Sequence, residues 1–279
     1  MKIMMRQLRL HTRPLYPEYI ESVSSAGLVK DYAVIVHGPE EIDPDELALL
    51  SKVNWINLCG TTDNSGAALV EYAYSEFEES DADILITIDD DAVFTMPNLA
   101  LHLIRQVIST TSRFGAMGPI SDFYLFSRYK HCANAVLLDL KGRPLDVTMG
   151  DLAEASYSPI ACQIYNREAL FAIDWRPILN NCRWNYDPPV FMKIHEAGYQ
   201  IKELYFPGFK HHYSNGKVTK KGNTAGGCMT PEAYLKQNAR HLEFLQEFFK
   251  HSDPRYLKAL TRAHKYRERK VFTFFNRKG

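Results

Sequence analysis

Apolar and polar positions along the first 120 residues switch repeatedly between two periods. KIMMRQLRL (2–10), DYAVIVHG (31–38), VNWINL (53–58), ADILITI (82–88) and RFGAMGPI (113–120) are short, rich in β-branched or apolar residues, and predict strands. Between them, YPEYIESVSSAG (16–27), DPDELALLSK (43–52), NSGAALVEYAYSEFEES (64–80) and MPNLALHLIRQVISTT (96–111) predict helices. In the third of these helices Ala68, Leu69, Tyr72, Ala73 and Phe77 form an apolar stripe. In the fourth, Pro97 suits a first turn. ADILITI is nearly continuous in its apolar character, as a strand buried on both faces requires. The alternation predicts an α/β fold with a central, mostly parallel sheet flanked by helices.

Beyond residue 120 the rhythm breaks. Residues 121–165 read as loop with antiparallel pieces, including a hairpin over AVLLDLKGRPLDVTM (135–149) turned at Lys141-Gly142-Arg143. REALFAI (167–173) and DPPVFMKIHEAGY (187–199) predict helices, the second capped by Asp187, with Pro188 in its first turn and Gly198 at its stop. QIKELYF (200–206) predicts a strand. SNGKVTKKGNTAGGCMT (214–230) is a polar, basic, glycine-rich loop, and helices at 231–250 and 254–270 follow. No internal repeat and no linker divides the chain.

Composition refines this picture in two places. The 279 residues carry no net charge, yet residues 1–207 hold 17 Lys+Arg against 28 Asp+Glu, a balance of −11, while residues 208–279 hold 16 against 5, a balance of +11. An acidic body thus carries a basic tail. In the tail Arg255, Lys258, Arg262, Lys265 and Arg269 recur at helical spacing, with Tyr256, Leu260 and Ala263 on the other side. Such a stripe suits a polyanion, whether nucleic acid or an anionic membrane surface, or else packs against the acidic body. The five cysteines are scattered without a C-x-x-C pair, which predicts reduced thiols and a cytoplasmic setting, peripheral to a membrane or associated with DNA. No apolar run is long enough for a transmembrane helix, and Arg6 and Arg9 interrupt the start of the chain where a signal peptide would be apolar.

The densest chemistry is Asp89-Asp90-Asp91, directly behind the most apolar strand. Three adjacent carboxylates repel one another and resist desolvation unless a positive charge answers them. In open α/β sheets ligands bind beyond the carboxyl ends of strands. Carboxylates there suit Mn²⁺ or Mg²⁺ carrying a phosphate-bearing ligand. The plainer reading is a solvated acidic turn.

ILITIDDDAVFTMPNL resembles the D-x-D segment of family-2 glycosyltransferases with the A-type (GT-A) fold. TRPLYPEYIESV (12–23), the Asn-x-Gly of NSG ahead of a helix, WNYDPPVFMKIHEAGYQI and FPGFKHHYSNG resemble further segments of that family in the same order, over roughly residues 1–213. The resemblance implies a GT-A catalytic domain over 1–213, with a nucleotide-sugar half (1–120) and an acceptor half (121–213), then a basic loop (214–230) and a basic helical appendage (231–279). It implies a metal-dependent, inverting transferase using a nucleotide-sugar donor, a UDP-sugar in the usual case. Asp91 and Asp89 would hold the metal, Asp89 also reaching the ribose, with Asp90 a further donor contact. His211 or His212 would complete the site; adjacent strand residues face opposite ways, and His211 is the choice made here. Asp187 stands where the family's catalytic base is found, preceded by Tyr186 in place of the usual Glu. Arg13, Asp63 and Asn64 would border the nucleotide, and Lys217, Lys220 and Lys221 would close over the diphosphate. Two acceptors remain open: a hydroxymethylated DNA base, flipped out of its duplex to react, or a glycan or lipid-linked saccharide at a membrane face. A metal-dependent phosphohydrolase is the more remote alternative.

Overall fold

In a computed structural model of the chain, the described residues are 1–10, 29–38, 40–59, 66–90, 92–120, 152–154, 162–182, 186–205, 209–211, 231–258 and 260–261. Arg13, Asp63, Asn64, Asp91, His212, Lys217, Lys220 and Lys221 fall outside them, as do the helix expected at 16–27, the hairpin at 135–149 and the loop at 214–230.

Strands β1 (Ile3–Leu10), β2 (Asp31–His37), β3 (Trp55–Asn57) and β4 (Ile84–Asp89) lie where the apolar runs place them. They interleave with helices α1 (Pro44–Leu50), α2 (Gly66–Glu79) and α3 (Pro97–Thr110). β5 (Ala92–Phe94) precedes α3, and β6 (Phe114–Ile120) follows it. Then come β7 (Leu152–Glu154), β8 (Cys162–Asn166), α4 (Arg167–Phe171), α5 (Arg176–Asn181), α6 (Asp187–Glu196), β9 (Gln200–Tyr205), β10 (Phe209–His211) and α7 (Pro231–Phe248). Eight strands form one sheet in the order β3-β2-β1-β4-β8-β6-β9-β7. β3, β2, β1 and β4 are parallel neighbours, but β8 runs antiparallel between β4 and β6. The simple β-α-β alternation seen in the sequence would set β6 beside β4. Instead the strand from the irregular stretch takes the centre, because Cys162, Ile164 and Tyr165 are as fully buried as β4 itself.

Strand alternation splits the interior in two. On one face Met4, Leu8 and Leu85 meet α2, α4, α5 and α6. On the other, Ile3, Met5, Ile84, Ile86 and Ile88 meet Leu50 of α1 and Ala100, Ile104 and Val107 of α3. The buried stripe of α2 is Ala67, Leu69, Val70, Ala73, Tyr74 and Phe77, rotated from the expected one. Tyr74 rather than Tyr72 enters the core, where its ring stands edge-on to Tyr165 at 5.4 Å and to Trp175 at 5.2 Å. Gly115 sits at an irregularity in the β6–β9 register. A Cβ there would come within 2.6 Å of the Tyr199 Cβ and 2.7 Å of the Ile194 Cγ2, so only glycine lets α6 and its stop approach β6 this closely. Leu245 and Phe249 at the end of α7, with Tyr256 and Leu260 beyond it, are buried in the first core. The described part of the basic tail is therefore anchored to the body through apolar contacts.

Candidate active site

The acidic edge is built by β4. Its register with β1 pairs Leu8 with Asp89, and the Asp90 N–H continues the ladder by donating to the Leu8 carbonyl at 3.1 Å. Asp89 shares the face of Leu85 and Thr87 and is half-buried. Asp90 falls on the opposite face, 2% exposed, and accepts a 2.8 Å bond from Arg9 Nη1. Arg9 is 1% exposed and also donates from Nε to Glu46 Oε1 of α1 at 2.9 Å. Asp90, expected as a further donor contact, thus faces a guanidinium inside the protein. Arg9 is the residue that reading the sequence for ligands missed. The signal was present, since an arginine within an apolar strand of a central sheet requires a carboxylate partner.

β5 and β10 form a separate antiparallel ribbon in which Phe209 pairs with Phe94, Lys210 with Val93 and His211 with Ala92. Phe94 and Phe209 are both buried, their ring centroids 4.9 Å apart, which pins the ribbon to the second core. The pairing places His211 opposite the residue that follows Asp91, although some 120 positions separate them in the sequence. Among the described residues no group of three metal-ligating side chains occurs, Asp91 and the His211 side chain being outside that set. In donor chemistry, carboxylate oxygens with one imidazole fit Mn²⁺ or Mg²⁺.

Asp187 is the first residue of α6 and wholly buried. The expectation that it caps the helix is corrected: Tyr186 holds the cap position, and Pro188 and Pro189 fill the first turn, where a missing N–H is harmless. Its carboxylate stands near Tyr74, Tyr165 and Cys182, whose ionisation burial pushes up first and the Asp187 charge opposes further. From there a buried polar row follows the sheet face. The Tyr165 hydroxyl donates to Gln163 Oε1 at 2.8 Å, and Thr87 Oγ1 lies 3.5 Å from the same oxygen. Thr87 is two residues before Asp89 on the same strand face, so Asp187 and Asp89 are on the same side of the sheet, whereas Asp90 is not.

At the far end of α6, His195 Nδ1 lies 2.7 Å from the Tyr256 hydroxyl, and burial raises that phenol to about 12. Lys193 stacks over Phe248 and Phe249. Of the basic stripe, Arg255 pairs with Asp253 and Lys258 is exposed, while Tyr256 and Leu260 face the core.

No protein-family model matches the chain, and no curated protein matches it in sequence. Solved structures do match in fold. Glucosyl-3-phosphoglycerate synthase from Mycobacterium tuberculosis, in complex with Mg²⁺ and uridine diphosphate, superposes with a TM-score of 0.51 at 13% identity, over 79% of this chain and 76% of that one. A mycobacterial protein superposes at 0.52 with 12% identity, over 89% of this chain and 74% of that one. At these identities the likeness establishes the fold. The chain has the Rossmann-like GT-A fold, a mostly parallel sheet flanked by helices.

Proposed function

We propose that the protein is a metal-dependent glycosyltransferase that moves a sugar from a nucleotide-sugar to an acceptor hydroxyl with inversion. The observation that supports this reading is the β5–β10 ribbon, which pairs His211 with Ala92, next in sequence to the acidic triplet that follows β4 of the GT-A sheet. Asp89, Asp91 and His211 would hold Mn²⁺ or Mg²⁺, and the fold neighbour bound to Mg²⁺ and uridine diphosphate supports a nucleoside-diphosphate donor, UDP foremost. The cation supplies charge neutralisation for the departing diphosphate. Asp187 takes the proton from the acceptor hydroxyl as it attacks the anomeric carbon. As the family resemblance implies, Arg13, Asp63 and Asn64 would border the nucleotide and Lys217 would contact the diphosphate.

The acceptor is proposed to be part of a polyanion, hydroxymethylated DNA ahead of a membrane-face glycan. The apolar side of residues 254–261 is spent on the core, which leaves Lys258 outward and none of Tyr256 or Leu260 for lipid. No helix among the described residues is long and apolar enough to cross a membrane. UDP release from UDP-sugars with Mn²⁺ tests the class; added DNA should raise it, and high salt should abolish that increase. Stimulation by lipid extracts alone would overturn the acceptor. Asp187→Asn should lose transfer while Mn²⁺-dependent UDP binding persists; loss of both would make Asp187 a buried structural carboxylate.

A further inference from the structure

Arg9 joins three elements at one point. It projects from the penultimate position of β1, bonds Glu46 in the first turn of α1 at 2.9 Å, and bonds Asp90 just past β4 at 2.8 Å. The side chains of Arg9 and Asp90 are each only 2% exposed and that of Glu46 15%. A buried ion pair stabilises little compared with an apolar replacement of the same shape, because desolvation offsets the attraction. Its effect is on geometry: a forked guanidinium held by two carboxylates fixes both in direction.

The direction is the informative part. Side chains alternate along a strand, so whichever face receives Asp90 dictates the face left to Asp89. With Asp90 drawn under α1, Asp89 is committed to the side of Thr87, Gln163 and Asp187. Pairing Asp90 internally also takes one of the triplet's negative charges away from what a divalent cation must answer. We infer that Arg9 is a positioning residue for the metal site: by sequestering Asp90 with Glu46 it selects Asp89, not Asp90, as the carboxylate presented to the cation and diphosphate. The inference rests on the transferase reading of this edge.

Arg6 provides an internal control. It lies three residues earlier on the same strand, 3% exposed, and is paired as heavily, with Glu76 at 2.7 Å and Asp31 at 2.8 Å, but on the other sheet face and away from the triplet. The experiment is titration of the whole protein with Mn²⁺, read by the paramagnetic resonance signal of the free ion, with UDP and separately GDP present. Thermal midpoints are recorded alongside. Arg9→Lys should weaken Mn²⁺ binding about tenfold, and Arg6→Lys less than about twofold at a similar thermal loss. Asp89→Asn should abolish Mn²⁺ binding, whereas Asp90→Asn, which keeps the bond from Arg9, should weaken it less than about tenfold. This second comparison stands even if Arg9→Lys fails to fold. Equal losses for Asp89→Asn and Asp90→Asn, or for Arg9→Lys and Arg6→Lys, would overturn the inference alone. Absence of Mn²⁺ binding by the unaltered protein with either nucleotide would overturn the transferase reading with it.

Discussion

Replacing Arg167 with methionine should loosen the hinge from which β4 starts. Helix α2 has no basic residue in its last turn, and Arg167 closes that end from 90 residues away. Its Nε donates to the Ala82 carbonyl at 2.6 Å, and Nη2 to the Ser80 carbonyl at 2.7 Å and hydroxyl at 2.9 Å. It also bonds the Phe77 carbonyl, reaches Glu78 at 3.3 Å, and sits 4.6 Å over the Phe77 ring. Water can replace the outermost bonds, so the loss falls on the two short bonds to Ala82 and Ser80, about 1 kcal/mol each. The ring contact adds about 1 kcal/mol. The expected destabilisation is about 3 kcal/mol, which for a chain of this size lowers the thermal midpoint by about 6–12 °C. Urea unfolding followed by circular dichroism measures it directly. Arg167→Lys should recover less than half, since one ammonium cannot reach both carbonyls and still cover the ring. A methionine variant within about 0.5 kcal/mol of the parent would refute the assignment of Arg167 as the closure of α2.

Gly115→Ala should cost about 2–3 kcal/mol in urea unfolding, because its methyl meets Tyr199 and Ile194 at less than contact distance; an unchanged midpoint would mean that α6 is not held that close to β6. Burial opposes ionisation of Cys162, Cys182, Tyr74 and Tyr165, so the folded protein keeps protons that the unfolded chain sheds. Their contribution to stability is complete below about pH 8.5 and is lost as pH rises beyond it, first through the thiols and near pH 10 through the phenols. Urea midpoints at pH 7.5 and 9.5 should differ in that sense. Iodoacetamide should label Cys59, which is exposed, well before Cys162 and Cys182, which are buried; early labelling of Cys162 would contradict its place at the sheet centre.

Strands β1 to β4, β6 and β9 and helices α1, α2, α3, α4, α6 and α7 were all legible, because each carries a pattern that burial on one or two faces imposes. β8 was not, since CQIYN has no period distinct from its surroundings and its place between β4 and β6 is decided by pairing across 80 residues. α5 was missed for a related reason: RPILNN is one short turn-and-a-half held by Ile178 and Leu179 in the core. At the site, the acidic edge could be located from sequence because a charged cluster behind an apolar strand is conspicuous. How its members divide between the faces could not, as that depends on Arg9 and Glu46, which come from two other elements. On α2, Leu69, Ala73 and Phe77 are buried as expected, but the stripe is broad enough to accept either Tyr72 or Tyr74, and the rings of Tyr165 and Trp175 settle the choice.

The central position of β8 also constrains how the chain can be made. A nascent polypeptide that has reached residue 120 holds β4 and β6 but not the strand that joins them. Both would present unsatisfied main-chain amides and carbonyls until residue 166 is synthesised, roughly 2–9 s later at about 5–20 residues per second. A gene fragment cut at that point would leave two sticky margins open for good, and aggregates rather than a half-sized folded domain should be its product.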